Sequence, residues 1–359
     1  MPVTVGLDIG TAAVRAAVVD ARKNKLILRR FAEMPLPPGA VEAGEILDEA
    51  AVAEAVAAMW KRAKLPKKRV VLGTANQRVI VRQVDVPLMA EDELAEALPF
   101  QVQDSIPMPV EEARLDFIPI EEFSTPDGEP MMSILVVAAH EEVIEGLVRV
   151  AQVANIEPIA VDLQPLAITR AALGSASAIA EQAPQGVVDV GATITQLVFV
   201  RAGIARFVRI LPRGGDTFTT ALSEGLDMDL EDADELKRSV GVQPEGRAPE
   251  SDDSTDVEAA ARLILTNEAD ALIEDIRGSI SFHLSQTEEA ALGRIVIAGN
   301  GARLPHLANR MSQALDIAVE PAKVLDRVDV GRVRLSEAEL LDAQAVLPTA
   351  VGLALWGEV

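Results

Sequence analysis

The stretch VTVGLDIGTAAVRAAVVD, residues 3–20, decides how the rest of the chain is interpreted. Two apolar runs flank a turn that begins at Asp8 and passes through Gly10 and Thr11. Apolar runs separated by a glycine turn predict a β-hairpin. The sequence therefore predicts a hairpin whose mouth presents a carboxylate together with inward-pointing backbone N–H groups.

The same arrangement recurs about half a chain later, in GVVDVGATITQLVFV at residues 186–200. The acid, glycine and threonine of this second copy are Asp189, Gly191 and Thr193, which correspond to Asp8, Gly10 and Thr11. Backbone N–H groups at such a mouth hold phosphate oxygens, and the carboxylate is placed to hold hydrated magnesium. Either copy alone is better explained as an ordinary buried hairpin. The pair together favours two facing copies that grip a nucleotide tail.

The composition limits the class of protein. A chain of 359 residues exceeds what one hydrophobic core usually supports, so we expect two lobes or more. The formal charge of -23 argues against nucleic acid or an anionic lipid surface as a direct partner, because both are bound by Lys and Arg patches. No cysteine occurs, which excludes disulfides and thiolate catalysis.

The sequence predicts neither a secretion signal nor a membrane-spanning segment. Its N-terminus passes directly into the first predicted strand, without the features of a secretion signal. The longest uncharged apolar run, around residues 134–139, is too short to cross a bilayer. We therefore expect a cytoplasmic protein without direct membrane insertion.

Three units are predicted along the chain. The opening part alternates strand and helix, as an α/β sheet does. It is interrupted by a helix, strand, strand, helix, strand pattern that is too long for a plain connection. The predicted units are a first lobe of residues 1–90 and 160–185 with a C-terminal helix at 340–359, an inserted unit at 91–159, and a second lobe at 186–339 with a mobile acidic loop at 242–256.

A third motif, IVIAGNGARLP at residues 295–305, consists of a buried strand, a glycine turn and a helix start. Small residues at Gly299 and Gly301 let a flat or anionic ligand approach the backbone closely. The motif is not a dinucleotide fingerprint, because the last required glycine is Leu304. Alone it predicts a tight turn. Together with the two hairpins it predicts the base-side wall of a nucleotide cleft.

The order GLDIGTAAVR, VVDVGATITQL, IVIAGNGARLP resembles the phosphate-1, phosphate-2 and adenosine motifs of the actin, Hsp70 and sugar-kinase superfamily. Within it, the chain is most similar to the PilM family of type IV pilus assembly proteins. That similarity extends over LAEALPFQVQDSIPMPVEEARLDF at 94–117, over residues 136–173 and over the closing AVGLALWG. The resemblance implies an α/β, actin-like (ribonuclease H-like) two-lobed ATPase fold. The inserted unit would correspond to the 1C subdomain that this family shares with the divisome protein FtsA.

The resemblance also implies ATP and Mg²⁺ as cofactors, with roles for individual residues. Asp8 and Asp189 would organise the magnesium ion, and Gln164 stands where such proteins place the residue that orients the attacking water. Many related chains would have Glu at this position, so we expect ATP binding with weak or no hydrolysis. The residues implied to hold ATP are Gly10, Thr11, Arg15, Asp189, Gly191, Ala192, Thr193, Asp234, Lys237, Gly299, Gly301 and Ala302.

A docking partner follows from the same resemblance. The expected partner is the cytoplasmic N-terminal peptide of a PilN-like inner-membrane protein, bound in a groove between the first lobe and the inserted unit. The predicted groove residues lie near Phe100, Ile106, Pro107 and Leu115. The protein would thus be cytoplasmic and held at the inner membrane through its partner. Pilus motor ATPases and self-association are further expected contacts.

Three alternatives stay open. An FtsA-like divisome protein would normally end in a basic amphipathic membrane helix, whereas this sequence closes on Trp356-Gly357-Glu358-Val359. A metabolite kinase needs a catalytic Asp near a sugar site, for which Asp162 is the only nearby candidate. A nucleotide-free adaptor of the same fold would tolerate Gln164, and would also tolerate Arg15 where Lys is commoner.

Overall fold

A computed structural model describes residues 3–22, 25–174, 183–243, 257–287, 291–331 and 333–357. The strands are β1 (Thr4–Ile9), β2 (Ala13–Arg22), β3 (Lys25–Pro35), β4 (Val41–Glu42), β5 (Glu45–Ile46), β6 (Lys68–Thr74), β7 (Val79–Pro87), β8 (Ala113–Ser124), β9 (Pro130–His140), β10 (Glu157–Leu163), β11 (Gln185–Val190), β12 (Thr195–Arg201), β13 (Ile204–Leu211), β14 (Arg294–Ala298), β15 (Ala318–Pro321) and β16 (Asp329–Val330). The helices are α1 (Glu49–Ala63), α2 (Glu91–Val102), α3 (Glu141–Val153), α4 (Gln164–Ala172), α5 (Gly215–Leu226), α6 (Leu230–Val240), α7 (Val257–Ser285), α8 (Leu307–Leu315), α9 (Glu337–Ala343) and α10 (Leu347–Ala354).

Two sheets share one strand pattern. The first has the order β10-β6-β1-β2-β3-β16, and the second has the order β13-β12-β11-β14-β15. In each sheet an antiparallel three-strand meander is joined to two parallel strands. β1 and β11 are central and wholly buried, as their continuous apolar runs require. The repeated hairpin motif is thus the opening of a repeated sheet.

Helices cover both faces of the first sheet. α1 and α3 pack on one face, and α9 and α10 pack on the other. α1 begins where the Asp48 side chain accepts a hydrogen bond from the Ala51 N–H at 2.9 Å, and it ends with the basic residues that favour a helix C-terminus. Alternate residues of β2 enter the two cores, as the strand's period of two dictates.

The second sheet is covered differently on its two faces. Helices α5 to α8 form the core of one face. The opposite face shares a core with α4 and with Ile120 and Leu135 of a third, three-stranded sheet of order β7-β9-β8. Within the described ranges, no helix combines the length and the apolar character that a bilayer span requires.

The inserted unit has different boundaries from those predicted. The sequence predicts this unit at residues 91–159. In the structure, β7 (Val79–Pro87) pairs with β9 and so belongs to the inserted sheet rather than to the first lobe. Conversely, α3 and β10 belong to the first lobe, because α3 packs in the core of the first sheet and β10 pairs with β6. The core of the inserted unit is therefore formed where α2 packs on the sheet β7-β9-β8.

The second lobe also ends earlier than the predicted residue 339. β16 (Asp329–Val330) pairs in parallel with β3 of the first sheet, and Val324 and Val328 lie in the first-lobe core with α9 and α10. The chain has thus returned to the first lobe before α9 begins. The predicted acidic loop at 242–256 falls outside the described residues from 244 onward.

α10 lies directly on β1 and α4 because glycines form the contacts. A Cβ at Gly6 would lie 2.1 Å from the Ala350 carbonyl oxygen, and one at Gly352 would lie 1.7 Å from the Ala167 carbonyl oxygen. Backbone atoms form both contacts, so no side-chain rotation relieves them. The C-terminal helix is therefore held at a distance that only glycine permits.

We expect Gly352→Ala to lower the free energy of unfolding by about 1–3 kcal/mol, since the added methyl group pushes α10 away from α4. Gly278→Ala is the matched control, because this glycine lies inside α7 with no atom within 4 Å of its added Cβ. The control should raise stability by about 0.5–1 kcal/mol through helix propensity. Urea unfolding measures both changes, and the same sign for the two variants would contradict the packing argument.

Candidate nucleotide site

The two hairpin mouths meet in one cavity. Each turn is closed in the same way: the Gly10 N–H donates to the Ala13 carbonyl at 3.1 Å, and the Gly191 N–H donates to the Ile194 carbonyl at 2.9 Å. The cavity between them has a volume of about 70 Å³. Its lining includes Asp8, Gly10, Thr11, Arg15, Gln164, Asp189, Gly191, Ala192, Gln196, Gly299 and Asn300.

The turns also touch each other. The hydroxyls of Thr11 and Thr193 are 2.8 Å apart, so one donates to the other across the two lobes. A second bridge joins the glycine turn of the third motif to the first lobe, where the Gly299 N–H donates to the Ala345 carbonyl at 2.8 Å. The lobes are thus joined at the mouth of the cleft by one side-chain bond and one backbone bond.

A buried chain of polar groups connects the two acids. The Gln164 amide donates to Asp8 Oδ1 at 2.9 Å. The Gln196 amide donates to Gln164 Oε1 at 3.1 Å and to Asp189 Oδ2 at 3.2 Å. All four side chains are buried. Sequence reasoning missed Gln196, although a glutamine in the buried strand TQLVFVR was a visible signal.

Burial sets the protonation of both acids. It raises the pKa of Asp8 to about 6, although the nearby Arg15 guanidinium, 3.8 Å from Oδ2, acts in the opposite direction. Burial raises the pKa of Asp189 to about 7, and the charge of Asp8 adds to this increase. Arg15 is itself shared, because its Nε lies 2.5 Å from Glu33. Two buried acids whose charges repel each other favour either protonation or a bound cation.

The donor set fits a magnesium ion that is held jointly with phosphate and water. No group of three or more His, Cys, Asp or Glu side chains suited to a metal occurs within the described ranges. Mg²⁺ commonly takes only one or two carboxylates and completes its shell with waters and substrate phosphates. Asp8 and Asp189 supply two carboxylates, and Gln196 Oε1 is a buried acceptor that has no hydrogen-bond partner among the described residues.

A larger cavity of about 750 Å³ adjoins the first one. Gly191, Ala192 and Asn300 line both cavities. The additional lining of the larger cavity comes from α5, α6 and the glycine turn, and includes Asp216, Thr219, Asp234, Lys237, Gly301 and Arg303. Its volume is in the usual range for small-ligand sites.

Lys237 is held in place at the edge of this cavity. Its ammonium group lies 2.6 Å from Thr219 Oγ1 and 2.6 Å from Asp234 Oδ1. Asp234 pairs with Arg238 as well. Sequence reasoning missed both Thr219 and Asp216 as residues of this cavity. In the structure Gly214 is the residue before the helix, and burial raises the pKa of Asp216.

The glycine turn of the third motif requires its first glycine. Gly299 has a φ of +90°, and a Cβ there would lie 2.3 Å from the Val190 carbonyl oxygen and 2.7 Å from Asp189 Oδ1. Gly301 lines the larger cavity. Ala302, which was expected to contact ATP, instead packs against the core of the second lobe and lines neither cavity.

Asp162, which the metabolite-kinase alternative requires as a catalytic acid, has structural partners. Its carboxylate pairs with Arg170 and accepts a hydrogen bond from the Leu163 N–H at 2.8 Å. Arg170 in turn donates to the Gly352 carbonyl of α10 at 3.2 Å. The pair thus joins α4 to α10 inside the first lobe, away from the cleft.

Comparison with known proteins assigns the family. The family model described as "Type IV pilus assembly protein PilM" matches residues 6–358. The chain belongs to the PilM family of type IV pilus assembly proteins. A solved PilM-PilN type IV pilus biogenesis complex contains a chain that is 28% identical, with a TM-score of 0.81, over 98% of this chain and 97% of that chain.

More distant relatives of this PilM-family chain share the actin-like fold. Cell division protein FtsA of Bacillus subtilis (strain 168) is 22% identical over 354 residues, which cover 89% of this chain and 78% of FtsA. MreB5 of Spiroplasma citri, solved bound to AMPPNP, is 11% identical with a TM-score of 0.58, over 100% of this chain and 96% of that chain. The predicted α/β actin-like fold is confirmed.

The raised acid pKa values predict how stability depends on pH. The relevant pH window runs from 3.8, the ordinary pKa of an Asp side chain, up to about 6 for Asp8 and about 7 for Asp189. Within it, the folded protein keeps protons that the unfolded chain has lost. The contribution of these groups to the free energy of unfolding therefore falls as pH rises through this window. Asp189→Asn should be the more stable protein at about pH 8, by on the order of 2 kcal/mol.

The measurement is urea unfolding at a series of pH values without nucleotide or metal. Asp127→Asn, at the exposed tip of the β8–β9 hairpin, is the control and should differ from the wild type by the same amount at every pH. A pH-independent difference for Asp189→Asn would contradict the assignment of raised pKa values to the cleft.

Proposed function

We propose that this PilM-family protein is an ATP-binding scaffold of the inner-membrane platform that assembles type IV pili, and that it docks the N-terminal peptide of a PilN-like membrane protein. One observation carries the nucleotide part: the acids of the two repeated hairpins line a single cavity between the lobes. Family membership and the similarity to the PilM-PilN complex support the docking part. Cytoplasmic placement, with attachment to the membrane through the partner, belongs to the same proposal.

The two cavities divide the ligand between them. The smaller one, with both carboxylates and the two glycine turns, suits the polyphosphate and Mg²⁺. The larger one, beside Lys237 and Gly301, suits the nucleoside. When bound, Mg²⁺ neutralises phosphate charge, and Asp8 and Asp189 would hold it there.

Nucleotide binding is coupled to the arrangement of the lobes. A volume of about 70 Å³ is far below the roughly 300–1,000 Å³ that is usual for small-ligand sites. A triphosphate end needs more room, which the Thr11–Thr193 and Gln164–Gln196 hydrogen bonds restrict. The phosphates therefore enter by separating these contacts, so the ligand favours a different lobe spacing.

Gln164 is suited to positioning rather than to proton transfer. Its amide donates to Asp8 while its carbonyl oxygen accepts from Gln196, so both ends are occupied. A neutral amide does not act as a base near pH 7, unlike a carboxylate. These properties support a nucleotide-responsive scaffold with weak or no ATP hydrolysis.

The docking surface of the inserted unit requires one revision. Ile106 is buried in the core of the inserted unit, and Leu115 packs partly against that core. Phe100 on α2 is 76% exposed, and Pro107 is exposed as well. We therefore assign peptide contact to Phe100 and Pro107, supported from beneath by Ile106 and Leu115. Contacts with pilus motor ATPases and self-association extend the same proposal.

The nucleotide part is tested by titrating a fluorescent ATP analogue with and without Mg²⁺. Asp8→Asn should reduce the Mg²⁺-dependent gain in affinity by about tenfold or more, since even a partner of a metal ligand costs that much when changed. Asp127→Asn, which changes the same charge far from the cleft, should leave this gain intact. Equal magnesium dependence in both variants and the wild type would remove the assignment of the cleft.

The docking part is tested by calorimetry with the N-terminal peptide of a PilN-like protein. Phe100→Ala should weaken binding by about tenfold, because exposed aromatic anchors dominate such interfaces. Phe123→Ala, in the same unit and 38% exposed, is the control and should bind normally. Asp8→Asn without nucleotide should also bind normally. Unchanged affinity in Phe100→Ala would exclude this surface as the docking site.

A further inference from the structure

β3 has a free edge along half of its length. β16 pairs with it only at Ile27 and Leu28, and the Gly331 N–H adds one bond to the Leu28 carbonyl at 2.9 Å. From Arg30 to Pro35, no strand among the described residues pairs with the outer edge of β3. The outer backbone groups of such an edge are a template for another strand.

This edge forms the floor of a groove. A cavity of about 570 Å³ is lined by all six residues from Arg30 to Pro35. Met59, Arg62 and Ala63, at the end of α1, form one wall. Residues of α9 and the segment before it form the other wall. Because α1 and α9 cover opposite faces of the first sheet, the groove follows the sheet edge where β16 leaves it. Its shape fits an extended chain segment.

The acids of this groove are already occupied. Glu33 pairs with Arg15 at 2.5 Å, and Asp342 pairs with Arg303 at 3.3 Å. Glu339 accepts a hydrogen bond from the Ser336 N–H at 2.7 Å and caps α9. Arginines thus balance Glu33 and Asp342, whereas Glu339 keeps its negative charge. With five arginines and three acids, the lining is net positive.

The remaining arginines have no carboxylate partner within the described ranges. Arg30 donates to the carbonyls of Ala63 and Lys64, which neutralise no charge. Arg62 and Arg334 line the groove, are exposed, and form no ion pair with a described residue. A cluster of uncompensated positive charge in a chain of net charge -23 requires negative charge on its partner.

We propose that the groove binds an extended acidic peptide segment of a partner protein, which adds as a strand to the free edge of β3. Main-chain hydrogen bonds to residues 30–35 provide the affinity, and carboxylates on the two faces of the added strand reach Arg62 on one wall and Arg334 on the other. The groove lies on the first lobe and includes neither Phe100 nor Pro107. Its failure is therefore distinguishable from failure of the PilN-type docking.

The probe is a short fluorescent peptide that repeats Val-Val-Glu-Glu, so that Glu occurs on both faces of the strand, and it is titrated by anisotropy into the full chain. Nucleotide is omitted, because Arg15 and Asn300 line both the groove and the phosphate cavity. The double variant Arg62→Glu/Arg334→Glu should bind about tenfold more weakly, since two attractions become repulsions. Lys61→Glu/Arg82→Glu changes net charge equally at exposed residues outside the groove, and should bind normally.

Two altered probes separate strand addition from simple charge attraction. Replacing Glu by Lys, or methylating alternate backbone nitrogens of the acidic peptide, should abolish binding. Hydrogen exchange should slow at residues 30–35 only with the unmodified acidic peptide. Equal binding of the methylated peptide, or its displacement by inorganic phosphate, would overturn the proposal.

A second copy of this chain is the competing occupant. If sedimentation shows a dimer that Arg62→Glu/Arg334→Glu dissociates and the acidic peptide fails to disrupt, the groove is a self-association surface and the proposal is wrong. A monomer at all concentrations, together with peptide binding, supports it. Equal affinities of the two double variants for the acidic peptide would also overturn it.

Discussion

The buried chain from Asp8 through Gln164 and Gln196 to Asp189 is the constraint on which the cleft depends. Each member satisfies its neighbour in a region of low dielectric, where an unpaired polar group is costly. The chain begins in one sheet and ends in the other, so it fixes the separation of the two repeated halves at the cleft. Packing alone would position the lobes less specifically, because apolar contacts have no direction.

The sequence predicted what local chemistry dictates. A hairpin mouth that faces phosphate needs an acid followed by a glycine turn. Asp8 and Asp189 both stand in this arrangement, so its repetition indicated both the fold and the cleft. Partners that depend on distant pairing were less accessible. The alternation of apolar and polar residues in β7 suits any sheet with one covered face. The pairing of β7 with β9 could therefore not be predicted from its residues. Ile106, in the segment after α2, faces inward for the same reason, since only packing on the inserted sheet decides which of that segment's side chains are covered.

The missed Gln196 illustrates a different limit. A glutamine in a buried strand signals polar partners, and one of them, Asp189, lies seven positions earlier in the same hairpin. The other partner lies 32 positions away, at the start of α4, and the acid beyond it lies in the first strand. Ala302 shows the opposite case, in which a residue that belongs to a recognisable motif serves the core behind the turn. Motif membership thus located the turn but did not decide which of its atoms face the ligand.

The inserted sheet rests on both halves of the molecule. Its chain enters and leaves through the first lobe, while Ile120 and Leu135 share a core with the second sheet and Glu121 lies 3.4 Å from Arg206 of β13. The inserted sheet is therefore attached to both lobes. A rotation of one lobe against the other must tilt this sheet or shift its contact with β13. The binding of another protein to the inserted sheet is therefore linked to the width of the cleft. By thermodynamic reciprocity, if nucleotide changes the affinity of that protein for the inserted sheet by some factor, the bound protein changes the affinity for nucleotide by the same factor.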